Sequence, residues 1–241
     1  DIQEELVRRG SDVDFILDRP FDSNLLKAVT RFYRTGVIKI ADKYYQKEFK
    51  RLGNKQYDLI FVVSGQTLSE KTLNYCRSKY PNAKFVLYMW DSFDNRPWVL
   101  KNVHFFDKCF SFDKNDSESY SLNFRPLFFS SGFEGERNND FIYDLSFIGT
   151  MHSDRYGVIS TLKNKLDAKV RVFWYLFLQA EWVFLILKLT KRAFRNAKLD
   201  EFEYQPLSKI KVQSVFTQSK VILDIEHPKQ NGLTMRTIET L

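Results

Sequence analysis

Tyr57 to Val63, Lys84 to Trp90 and Lys108 to Phe112 are short, largely apolar runs, each followed by a polar loop and then by apolar residues at helical spacing. A run that is apolar at nearly every position, rather than at every second one, suits a strand covered on both faces, and parallel strands are joined by helices. The expected fold class is therefore α/β, with doubly wound parallel sheets whose ligands lie beyond the carboxyl ends of the strands. After Ser64-Gly65, Thr67 and Glu70 have the spacing of a capping box, opening a helix that carries Leu73 and Cys76 and stops before Pro81. Asp91 to Pro97 reads as a polar loop, with helices expected over Trp98 to Phe106 and Asp116 to Ser121. Ahead of the first run, Ile2 to Arg9 forms a helix stopped by Gly10, Val13 to Leu17 a short strand, and Leu25 to Leu52 a pair of helices broken at Gly36.

A second series follows a change in composition. Ser130, Ser131, Gly132, Gly135 and a charged run containing Asn138-Asn139 suit an interdomain connection. We therefore expect one domain over residues 1–132 and another over 133–241. The second contains a strand over Tyr143 to Ile148, a turn at Gly149, a helix over Asp154 to Leu166 and a strand over Lys169 to Trp174. A long apolar helical stretch then runs from Leu178 to Asn196. Ser208, after Pro206, is the expected N-cap of the next helix; Val221 to Ile225 is a strand, and a final helix starts near Leu233. The chain stops at Leu241 inside that helix and starts without an obvious first strand, so terminal segments of the natural chain are expected to be missing.

Composition narrows the function classes. The 241 residues are 44% hydrophobic and 16% aromatic, against extensive disorder. Cys76 and Cys109 have no metal-site spacing, and no basic start with an apolar run and cleavage site is visible, so a cytoplasmic setting is expected. The formal charge of +7 suits nucleic acid, an anionic membrane surface or a phosphorylated substrate. No Arg/Gly-rich run, helix-turn-helix pattern or ribonucleoprotein-type aromatic motif accompanies it, so no nucleic-acid partner is expected.

The most informative segment is Gln230-Asn231-Gly232-Leu233-Thr234-Met235-Arg236-Thr237-Ile238-Glu239, which follows a strand. A glycine before a helix lets backbone N–H groups approach phosphate oxygens, and a carboxylate at Glu239 can accept hydrogen bonds from ribose hydroxyls. Asn231-Gly232 through Glu239 resembles the Glu-Gly-x-Gly-x-x-x-x-Glu donor motif of GT-B glycosyltransferases, with Asn231 in the place of the first Glu and Thr234 in that of the second Gly. Further segments resemble spore-maturation-type glycosyltransferases: Tyr88-Met89-Trp90-Asp91-Ser92, Phe110-Ser111-Phe112-Asp113, Arg125-Pro126-Leu127, Asp144 through Gly149, and Ser219 through Ile225. The resemblance spans nearly the whole chain. It implies two Rossmann-like domains, acceptor side first and nucleotide-sugar donor side second, and sugar transfer in bacterial polysaccharide or lipopolysaccharide assembly without a cofactor or required metal.

Within that frame Gly149, Thr150, His152 and Arg155 form a polar turn entering a helix, where Arg155 would pair with diphosphate oxygens. Ser208 and Lys209 start another helix, and Lys209 is a second phosphate candidate. Donor contacts are assigned to these residues and to Gln230, Asn231, Gly232, Leu233, Thr234, Arg236 and Glu239. Asp91, just beyond a strand, is the preferred general base for the acceptor hydroxyl, and His227 is a second catalytic candidate. The apolar stretch before Lys188, Lys191, Arg192, Arg195 and Lys198 is too interrupted to span a bilayer, and suits either the core or a peripheral contact with anionic lipid. A nucleotide-sugar epimerase or a non-catalytic sugar-nucleotide-binding module would use the same scaffold.

Overall fold

The computed structural model describes residues 2–18, 34–133, 140–152, 154–228 and 230–240. The chain clusters into two units: Asp1–Phe128 with Lys229–Thr234, and Phe129–Pro228 with Met235–Leu241.

The first unit is built on four strands, β1 (Leu59–Val63), β2 (Lys84–Met89), β3 (Lys108–Ser111) and β4 (Asn123–Phe124), paired in that order and all parallel. Phe85, Leu87 and Met89 point to one face and are fully buried, as alternation along a strand requires. Helix α1 (Ile2–Arg8) ends at Gly10, whose φ of 86° suits glycine. Helix α2 (Arg34–Arg51) buries Val37, Ala41, Tyr45 and Phe49, one residue per turn on a single stripe. Helix α3 (Glu70–Lys79) joins β1 to β2. The loop after β1 turns through Ser64 and Gly65, both left-handed, with φ of 62° and 59°. A single turn, α4 (Pro97–Leu100), and a 3₁₀ turn (Val103–Phe105) connect β2 to β3, and α5 (Lys114–Ser119) connects β3 to β4.

Several expectations are corrected here. Val13 to Leu17 forms no strand: the Leu17 N–H donates to the Tyr44 hydroxyl at 3.1 Å, and the Asp14 carboxylate accepts from the Tyr57 hydroxyl at 2.7 Å. Gly36 lies inside α2, whose buried stripe on both sides of Tyr45 outweighs the glycine penalty of about 1 kcal/mol; Leu25 to Tyr33 lie outside the described residues. The cap of α3 is Ser69, whose hydroxyl accepts from the Thr72 N–H at 3.0 Å, while Thr67 is buried against the Tyr45 hydroxyl at 2.8 Å. Trp98 to Phe106 is two short turns rather than one helix, because the chain must bring Val99 and Phe105 inward within nine residues.

The second unit has three parallel strands, β5 (Tyr143–Thr150), β6 (Val172–Phe177) and β7 (Ser219–Ile222), in the order β6-β5-β7 with β5 central. Helices are α6 (Arg155–Lys163), α7 (Glu181–Thr190), α8 (Lys209–Thr217) and α9 (Met235–Glu239). Neighbouring residues of β5 seed a core on each face. Phe147 packs with Tyr156, Ile159, Leu176 and Phe184, and Ile148 with Val215 and Phe216. Asp144 ties the start of the sheet together through Arg171 at 3.1 Å and Lys220 at 2.9 Å, and these cations hold its carboxyl well below the usual range.

The turn expected at Gly149 is instead the penultimate residue of β5, because Thr150 still pairs with Phe177. A side chain at Gly149 would lie 2.8 Å from the Phe147 ring, so the glycine serves a close approach. Strand β6 begins at Val172 and runs on to Phe177, and the long helical stretch expected from Leu178 breaks after Thr190 into a 3₁₀ turn (Arg192–Phe194) that buries Phe194. Ser208 caps α8 as the spacing predicts, accepting from the Lys211 N–H at 3.3 Å.

Candidate functional site

In the second unit the predicted residues converge beyond the carboxyl ends of β5 and β7. Arg155, the first residue of α6, folds back over the end of β5: Nε donates to the Ile225 carbonyl at 2.8 Å and one terminal nitrogen to the Thr150 carbonyl at 3.3 Å. Burial, aggravated by the charge of Arg236, pushes its pKa down. Arg236 enters from α9, with its guanidinium 3.4 Å from Asp224 and 5.5 Å from the Phe147 ring centre. Its pKa is lowered by burial, and its Nε is buried without a partner among the described residues. Asp224 also accepts from the Thr237 hydroxyl at 2.6 Å, fixing α9 on the loop after β7. Asp224 had no expected role, because the strand was expected to run through it to Ile225, whereas β7 spans Ser219–Ile222 and leaves Asp224 in the loop beyond.

Glu239 is the last residue of the five-residue α9. Its carboxylate accepts from the Ser130 hydroxyl at 3.3 Å. Burial raises its pKa, opposed by the Ser130 contact and by the positive charges of Arg236 and Lys209. Ser130 carried no local signal, since it lies 109 residues away in sequence. Lys209 is the exposed first residue of α8, beside its cap Ser208. His152 and His227 bring their rings to 5.6 Å between centroids. Gly149, Thr150, His152, Arg155, His227, Arg236 and Glu239 thus share one end of one sheet, and the unit gathers cations where an anionic ligand would sit.

The remaining predicted residues are held in the first unit. Asp91, just past β2, accepts on Oδ1 from the Ser92 N–H at 3.1 Å, the Asn95 amide at 2.9 Å and the Gln230 amide at 2.6 Å, while Oδ2 pairs with Arg96 at 3.0 Å. The Asn231 N–H donates to Asp113 at 2.8 Å, and Asp113 is also the N-cap of α5. Gly232 is buried: a β-carbon there would lie 2.5 Å from the Phe112 ring and 2.6 Å from its carbonyl oxygen. The bare α-carbon face of this glycine is therefore closed by Phe112, and Leu233 points outward, 56% exposed. Helix α9 starts only at Met235, so residues 230–234 form a strap on the first unit rather than a turn leading directly into a helix.

No family model matches the chain, and no curated protein does. Among solved structures, it is similar to an alpha-glucosyltransferase in complex with UDP and a 13-mer DNA containing a central A:G mismatch. That alignment has a TM-score of 0.49 and 16% identity, and covers 75% of this chain and 55% of the other. The chain thus spans about 55% of the length of that solved chain. Among the described residues there is no group of three or more His, Cys, Asp or Glu side chains placed to hold a metal ion, and no helix long and apolar enough to cross a membrane.

Proposed function

We propose that this chain is a nucleotide-sugar-dependent glycosyltransferase of the GT-B type, its second unit binding the donor and its first unit the acceptor. The observation that carries the reading is the crowding of Arg155 and Arg236 at the carboxyl ends of β5 and β7, with one buried guanidinium nitrogen unpaired among the described residues. Two buried guanidiniums at one strand end, one nitrogen of which has no partner among the described residues, favour a bound anion, and a departing nucleoside diphosphate is such a group. Glu239, anchored by Ser130, supplies the acceptor oxygens for ribose hydroxyls.

The sugar would leave its diphosphate as an acceptor hydroxyl attacks the anomeric carbon, the hydroxyl proton passing to a base and the diphosphate charge to the two arginines. Asp91 is the base we favour, and the Gln230 amide must leave its Oδ1 for that role. His227 is the alternative. A glycan or lipid-linked acceptor of bacterial surface polysaccharide, on the cytoplasmic side, fits the sequence resemblance.

A panel of nucleotide sugars tests the donor assignment by thermal shift: at a hundredfold excess over Kd, a true donor adds about 2.7 kcal/mol of stability. If no member of the panel raises the melting temperature, the reading fails. With a donor in hand, Asp91→Asn should lower turnover and leave donor binding intact, and near-normal transfer by that variant would remove Asp91 from the reaction.

A further inference from the structure

Helix α7 is apolar on two opposite faces, and its unit uses only one. Val183, Phe184 and Leu187 turn inward to the cluster around Phe147. Trp182, Leu185, Ile186 and Leu189, at i, i+3, i+4 and i+7, line the other side and are 37%, 57%, 47% and 86% exposed. A helix packed on a sheet needs one apolar stripe, with polar residues opposite. Here the opposite side is a second stripe, ten residues long at most and too short to span a bilayer.

The chain around and after this stripe is cationic. Lys188, Lys191, Arg192, Arg195 and Lys198 fall between Trp182 and Leu199 with no acidic residue among them, and Glu181 and Asp200 bound the segment. Lys191, Arg192, Arg195 and Lys198 are exposed, while Phe194 and Ala197 anchor the same stretch inward. Lys188 donates to the Ala197 carbonyl at 3.1 Å, which ties the basic stretch to the helix.

We propose that this face seats the second unit on an anionic lipid surface, Trp182, Leu185, Ile186 and Leu189 entering the headgroup boundary and Lys191, Arg192, Arg195 and Lys198 meeting lipid phosphates. Apolar side chains alone would suit a protein partner equally. The cations without interspersed carboxylates single out an anionic sheet of headgroups, where each basic residue strengthens binding by about fivefold. The inference does not depend on the donor assignment.

Flotation of the intact chain with vesicles of phosphatidylcholine, alone or mixed with phosphatidylglycerol, tests it. Binding should be at least about tenfold tighter to the anionic vesicles, and should weaken as salt rises. Leu185→Glu with Leu189→Glu should abolish it, and Arg192→Glu with Arg195→Glu should weaken it at least about tenfold. All four positions are exposed, so unchanged circular dichroism and an unchanged melting temperature would show that the fold survives. Failure to float with anionic vesicles at low salt overturns the proposal, as does flotation that the leucine substitutions leave unaltered. Self-association in solution that those substitutions abolish, without flotation, would assign the face to a second copy of the chain instead.

Discussion

At the carboxyl ends of its strands the first unit presents carboxylates and the second presents guanidiniums, and the two sets are satisfied differently. Asp91, Asp113 and Asp116 are consumed by the structure around them. Arg96, backbone N–H groups and the amides of Asn95 and Gln230 take up the first two, and Asp116 accepts from the Phe93 N–H at 2.8 Å. Arg155 and Arg236 both lie near Asp224, burial lowers the pKa of each, and the charge of Arg236 lowers that of Arg155 further. The cores differ as well. The sheet of the second unit has a buried cluster on each face, whereas the clusters of the first unit both include residues of the β2 face that carries Phe85, Leu87 and Met89.

The core contrast makes the largest prediction. Phe147→Ala, at a fully buried position, should cost about 3–5 kcal/mol in denaturant unfolding. Phe61→Ala, half-buried on the other face of the first sheet, should cost less than about half of that. Equal losses would show that the two sheets are covered alike. Next, Arg236→Ala should weaken binding of a nucleoside diphosphate about a hundredfold in calorimetry, because it removes a charge-assisted contact. Arg96→Ala, in the first unit, should leave that affinity within about twofold. Matching losses would erase the distinction between the two strand ends.

Gly232→Ala should destabilise the first unit by about 1–3 kcal/mol, since its new methyl meets the Phe112 carbonyl as well as the ring. A neutral outcome in thermal unfolding would mean that the strap lifts easily. The smallest effect concerns protons. Burial raises the pKa of Glu239, so its folded-state contribution is most favourable at low pH and is lost as pH rises through the folded value. Glu239→Gln should therefore gain slightly on the parent at neutral pH, with the gain vanishing at acid pH, while donor affinity falls. A stability gap that widens toward acid pH would reverse the sign assigned here.

The comparison also shows which parts of the molecule were legible in sequence. Continuous apolar runs located β2, β3 and β5 within a residue or two, because a buried parallel strand writes itself as an unbroken string. Ser208 was legible as a cap because capping is local. Gly149 and Gly232 were visible as glycines but not as to why: each is required by a ring, Phe147 or Phe112, whose nearness only the fold supplies. The same holds for Ser130 beside Glu239 and for Gln230 on Asp91, partners separated by 109 and 139 residues. Val13 to Leu17 misled because an apolar run records burial demand and not hydrogen-bond partners, which here come from tyrosine and lysine side chains.

The strap formed by residues 230–234 has a consequence for biosynthesis. It belongs with residues emitted from the ribosome roughly a hundred codons earlier, so at ordinary elongation rates the nascent first unit waits about 5–20 s for the peptide that covers Phe112 and engages Asp91 and Asp113. During that interval its acidic strand ends stand open, and a fragment cut after Phe128 would remain in that unfinished state.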